Sequence, residues 1–132
     1  YELALDYYQQ SLRLTEESGI KTSSLLLNSI GIVHRLQGKP DLALEFYQRA
    51  LALAEAAGVK SEKGLILNNI GIIHRTRGQY EQAIKIYEQS LKLRESIGDR
   101  SGEAFVLYNL AFSHYQQGRQ QEALAYAERA IT

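Results

Sequence analysis

The sequence predicts an all-α fold, a solenoid of about three and a half helix pairs. Three observations predict it. First, residues 25–64 and 65–104 align without gaps at 16 identical positions of 40, and the text resumes a third time from Phe105, so a 40-residue unit is repeated. Second, apolar residues recur at helical spacing within each unit, and no segment alternates as a strand does. Third, glycines punctuate each copy at matching places: Gly38, Gly78 and Gly118, then Gly58 and Gly98.

In chain order, residues 1–18 form the first helix, with Leu5, Tyr8 and Leu12 on one face, Ala4 and Ser11 as small neighbours, and Gly19 as its terminator. It matches the second half of the later copies. The chain therefore opens, at residues 1–19, on the second helix of a truncated repeat, followed by repeats at 25–64, 65–104 and 105–132 of a single array. First helices are expected over about 23–37, 62–77 and 102–117. Ser61 and Ser101 are candidate N-caps for the latter two. Second helices start near Pro40, Tyr80 and Gln120; Pro40, the only proline, suits a first helical turn, where its missing N–H is harmless.

A helical wheel at 100° per residue gathers Leu27, Ile30, Gly31 and His34 on one face, with Ala43, Tyr47, Ala50 and Leu51 opposite them on the second helix. The second copy has Leu67, Ile70, Gly71 and His74 with Ala83, Tyr87, Ser90 and Leu91. The third has Leu107, Leu110, Ala111 and His114 with Ala123, Ala127, Ala130 and Ile131. Small residues let the two backbones approach, and the tyrosines fill the space beside them. Glu81–Lys85 and Glu88–Lys92, acid before base at i,i+4, mark the solvent side of a second helix.

These spacings resemble the tetratricopeptide repeat, whose signature is W-x2-L-G-x2-Y…A-x3-F…P over about 34 residues. Leu67-x2-Ile70-Gly71-x2-His74 and Ala83-x3-Tyr87 carry the likeness, as do their sister copies. Glu55 and Glu95 stand in place of the closing proline, and the period is 40. That longer form is similar to the repeats of Pins-type spindle-orientation adaptors, kinesin light chains and bacterial tetratricopeptide signalling proteins. The resemblance implies a right-handed α-α superhelix whose first helices line a concave groove for a peptide or helix.

The groove-facing residues so implied are Asn28, Ile32 and Arg35, then Asn68, Asn69, Ile72 and Arg75, then Phe105, Tyr108, Asn109, Phe112 and Tyr115. Asn69 and Asn109 suit a ligand backbone, the arginines suit carboxylates, and the aromatics suit anchors. The expected function is a protein-interaction scaffold holding a peptide with acidic and apolar anchors. The alternatives are a structural or self-associating spacer, or the sensor module of a larger regulatory protein or enzyme. A chaperone-tail clamp is disfavoured, because Phe105 and Asn109 stand where that clamp uses basic residues.

No chemistry is expected. The sequence has no cysteine, no phosphate-binding glycine loop, no nucleophile elbow and no HExxH. His34, His74 and His114 recur in register, which spaces them about 10 Å or more apart, too far for one metal. They are expected to pack, and no cofactor or metal is implied. Fifteen basic residues balance fifteen acidic ones, which gives no support to nucleic-acid binding. No apolar run approaches a membrane span, and the cysteine-free composition is compatible with a cytoplasmic location. Absence of methionine even at residue 1 points to a fragment of a longer protein, with further repeats or a homo-oligomer covering the terminal helices.

Overall fold

The computed structural model describes residues 1–19 and 22–132. These residues form seven α-helices and no strand: α1 Glu2–Ser18, α2 Ser24–Leu36, α3 Pro40–Ala57, α4 Lys60–Thr76, α5 Tyr80–Ser96, α6 Arg100–Gln116 and α7 Gln120–Ile131. They fall into two compact units, Tyr1–Glu62 and Lys63–Thr132.

In the first unit α2 and α3 pair along the predicted faces. Leu27, Ile30, Ala43, Tyr47, Ala50 and Ala54 are all buried. The approach is close because Gly31 has no side chain: a Cβ there would lie 2.6 Å from Tyr47 Cε1. α1 packs on α2 with Leu5, Tyr8 and Leu12 half-buried, while Leu3, Tyr7 and Leu14 stay in solvent.

The second unit repeats the arrangement with α4 and α5. A Cβ at Gly71 would lie 2.5 Å from Tyr87 Cε1. Tyr87 joins Ala83, Ile84, Leu91, Val106, Leu107 and Leu110 in one core, against which Ile72, Tyr126 and Ala130 pack. In the α6–α7 pair the corresponding residues are Ala111 and Ala127, small against small. Ile131, placed on the packing face by the wheel, is instead 86% exposed, as the last residue of α7.

Helix ends follow one device. Gly38, Gly58, Gly78, Gly98 and Gly118 all take positive φ. Around Gly38 the N–H groups of Gly38 and Lys39 return to the carbonyls of Arg35 and His34, and the same pair of bonds recurs after α3, α4, α5 and α6.

Two local expectations are corrected. α4 and α6 begin at Lys60 and Arg100, two residues before the expected starts, so Ser61 and Ser101 lie inside the first turn rather than at the cap. The cap of α6 is Asp99, whose Oδ1 accepts from Gly102 N at 3.0 Å while its other oxygen pairs with Arg94 at the end of α5. A carboxylate that also meets a buried guanidinium outcompetes a hydroxyl for this place. On α5, Glu81 accepts from Nη2 of Arg119, the N-cap of α7, at 2.7 Å.

Gly71→Ala is expected to lower stability by about 1–3 kcal/mol through overpacking, and Tyr87→Ala by about 3–5 kcal/mol through a cavity. The double substitution recreates the small pair of the third repeat, so its cost falls below the sum of the two. Urea-unfolding midpoints of the four proteins measure this.

Candidate functional site

The candidate site is the solvent side of the first helices, and α4 and α6 of the second unit show how it is built. Their mutual contact is polar at its centre. Asn109 Nδ2 donates to Asn68 Oδ1 at 2.9 Å, with Asn68 wholly buried and Asn109 4% exposed. Ser113 Oγ donates to the Asn109 carbonyl. Asn69, and Asn28 in the first unit, are buried as well. All four asparagines thus lie inside the helix packing.

What faces water is aromatic. Phe105 is 50% exposed, Tyr108 61%, Phe112 36% and Tyr115 63%, and all four lie on one side of α6. Tyr108 and Phe112 stack with planes 1° apart and centroids 6.3 Å apart. Beside them the Arg75 guanidinium covers the Phe112 ring at 4.8 Å. Arg75 Nε donates to the Tyr87 hydroxyl at 3.4 Å and Nη1 to Gln116 Oε1 at 3.5 Å. These contacts hold the cation over the ring and leave N–H donors of its fork for a further acceptor. Ile72 is half-buried against the core.

In the first unit the corresponding residues are Ile32 and Arg35, both half-buried. Arg35 stands beside Tyr47, where its charge opposes the upward push that burial gives the phenol's pKa. The histidines lie on the other side of the first helices. His34 packs on Phe46 with centroids 5.3 Å apart, and Arg49 covers that ring. His114, Tyr126 and Arg129 repeat the stack. Ile86 and Gln89 hold the corresponding places in the middle copy, and there His74 Nδ1 meets Gln79 Oε1 at 2.7 Å. Among the described residues no cluster of His, Asp and Glu is arranged to hold a metal. No described helix is long and apolar enough to cross a membrane.

Sequence reasoning missed the Arg94–Asp99 pair and the hydrogen bond from Ser24 Oγ to Glu62 Oε2. Their signal is in the repeat register. Ser24, Ala54 and Glu62 align with Gly64, Arg94 and Gly102, so a small residue in one copy is answered by a large one in the other. A Cβ at Gly64 or Gly102 would press on the Arg94 side chain.

Comparison with known proteins bears on the fold. The tetratricopeptide-repeat sequence pattern matches residues 1–56 and 62–132. No curated protein matches the chain. Among solved structures, BtubC (BKLC) from P. vanneervenii is similar over 96% of this chain and 54% of its own, with 20% identity and a TM-score of 0.86. The Rap conjugation gene regulator of plasmid pLS20, solved in complex with the Phr* peptide, gives 17% identity and 0.86 over 96% of this chain and 36% of its own. The repeats of a kinesin-light-chain-like protein from Podosopora anserina give 13% identity and 0.79 over 98% and 65%. At these identities the likeness shows the fold, an all-α arrangement of repeated helix pairs. The chain spans between about a third and about half of the length of the first structures it matches.

His34 gives a test of the buried stack. Burial, and secondarily the Lys39 charge, lowers its pKa below the ordinary value near 6.5, against an opposing interaction in which the Gln37 side chain favours the charged ring. A lowered folded pKa means that stability is fully present above the unfolded value and is lost as pH falls through the folded one. Proton NMR titration of the imidazole is expected to show a midpoint below 6.5, with the unfolding midpoint in urea dropping over the same range.

Proposed function

The chain belongs to the tetratricopeptide-repeat family, and on that premise we propose that it is a protein-interaction module without chemistry of its own, holding a peptide segment that carries acidic and apolar anchors. The observation that carries this reading is the row of Phe105, Tyr108, Phe112 and Tyr115 standing in water beside Arg75. Large aromatic rings exposed together on rigid helices are the side chains that dominate binding energy when a partner covers them. Arg75, fixed over Phe112, offers its remaining donors to a carboxylate. A pLS20 regulator of similar fold was solved with a peptide bound, which supports the choice of a peptide ligand.

The exposed aromatics, Arg75 and Ile72 act directly in this reading, and Ile32 and Arg35 form the corresponding patch of the first unit. Asn28, Asn68, Asn69 and Asn109 fix the helices beneath. Replacing the ligand-facing asparagines of the sequence expectation by a supporting role follows from their burial, since a side chain within a helix contact has little surface left for a ligand.

The test is selection from a library of unstructured peptides on the 132-residue protein, with Arg75→Glu and Arg35→Glu variants alongside. Acidic, apolar-anchored sequences are expected, bound about tenfold or more weakly by Arg75→Glu, as for loss of a charged hot spot. Equal binding by both variants, or peptides without acidic residues, would contradict the proposal.

A further inference from the structure

The Arg75 guanidinium is held from inside the helix pair. Arg75 follows Gly71 by one turn of α4, and the Tyr87 ring lies on the bare backbone at Gly71. The ring is wholly buried, and its hydroxyl reaches the next turn, where Arg75 Nε donates to it at 3.4 Å. Phe112 backs the plane of the cation at 4.8 Å, and Gln116 Oε1 accepts from Nη1 at 3.5 Å. These contacts restrain a side chain that is otherwise rich in rotamers.

Within the chain, glycine, tyrosine and arginine travel together. Gly31, Tyr47 and Arg35 hold the corresponding places in the first unit, where a Cβ at Gly31 would again meet the tyrosine ring. There Tyr47 Oη and Arg35 Nε are both buried without another hydrogen-bond partner, and the Arg35 charge bears on the phenol. In the third copy all of them change at once, to Ala111, Ala127 and Tyr115. Close packing explains why the glycine needs its tyrosine. It does not explain why the arginine leaves with them, since Tyr115 is 63% exposed and stands outside that packing. A hydroxyl that serves the arginine accounts for the whole set.

Resting on the interaction reading above, we propose that Tyr87, and Tyr47 in the first unit, are positioning residues whose hydroxyls orient the neighbouring arginine for a carboxylate of the bound peptide. In the second unit the hydroxyl takes up Nε, and Gln116 takes one hydrogen of Nη1. Nη2 and the other hydrogen of Nη1 are what the cation then offers to a ligand. Adjacent nitrogens of a planar fork match the paired oxygens of a carboxylate, and a carboxamide, with a single oxygen, does not match them. Ordering the fork before the ligand arrives also lowers the entropy that binding must remove.

The test is Tyr87→Phe, which keeps the ring on Gly71 and removes only the hydroxyl. Nitrogen-edited NMR follows the Arg75 side chain, first in the protein alone, then with glutarate, and with glutaramide as the uncharged control. Without ligand, the Arg75 Nε–H is expected to exchange with solvent about tenfold faster in Tyr87→Phe, beyond any change in the α4 backbone amides. Glutarate is expected to move the Arg75 signals saturably in the unsubstituted protein and to bind Tyr87→Phe about tenfold more weakly, with glutaramide inert in both. Equal glutarate affinity in the two proteins, or an Arg75 N–H that ignores the hydroxyl, would overturn the assignment and leave the proposed function standing. Glutarate that moves Arg75 in neither protein would overturn it together with the acidic anchor of the proposed function. Should Tyr87→Phe fail to fold, Tyr47→Phe with Arg35 observed makes the same comparison in the first unit, with the same outcomes deciding.

Discussion

A tyrosine ring lying on a helix backbone that carries no Cβ is the contact on which the rest of this structure depends. Tyr47 on Gly31 and Tyr87 on Gly71 bring paired helices closer than any side chain at the glycine would permit. Both rings are wholly buried. Close approach fixes which residues of the first helix can face its partner, and so fixes which residues are left for the opposite side. The third pair reaches a similar result by another route, with Ala111 and Ala127 small on both sides and Tyr126 stacking on His114. Packing at organic-crystal density tolerates either solution, provided that the two positions change together.

The same constraint accounts for the burial of the interior polar groups. Once α4 and α6 are held in contact, Asn68 and Asn109 have nowhere to turn except to each other. A buried amide without a partner costs more than the bond itself contributes, so the pair specifies one register between the helices. The Arg94–Asp99 pair works in a comparable way at the junction of α5 and α6. The Gly102 N–H first, and then the Arg94 guanidinium, lower the Asp99 pKa, so the carboxylate caps α6 in its charged form. With the polar groups committed inside, the exposed side of α6 is left to Phe105, Tyr108, Phe112 and Tyr115, beside Arg75.

Much of this is legible in the sequence because it repeats. The wheel identifies Leu27, Ile30, Tyr47 and their sister residues as interior, and the glycines mark six of the helix ends where they occur. The register also places the aromatic row of α6 on a single face. Three features are not visible from spacing alone. Ser61 and Ser101 look like caps because hydroxyls usually are, yet the helices start earlier, after a glycine turn of two or three residues that ends on Val59 or Asp99. The asparagines look ligand-facing because the wheel gives an angle and not the position of the neighbouring helix. Arg94 looks like one more surface cation on a polar helix, and only the glycines at 64 and 102 betray that space is kept for it.

The central claim is that the working surface of the second unit is the aromatic side of α6 with Arg75, and that the polar interior merely holds it. The most direct measurement is an aromatic-ring NMR map of the protein titrated with a selected ligand. Resonances of Phe105, Tyr108, Phe112 and Tyr115 are predicted to shift together, while those of the buried Tyr87 and of Tyr80 on α5 stay in place. Shifts confined to Tyr80 and Tyr87, with the α6 rings unmoved, would contradict the account and put recognition on the outer helices.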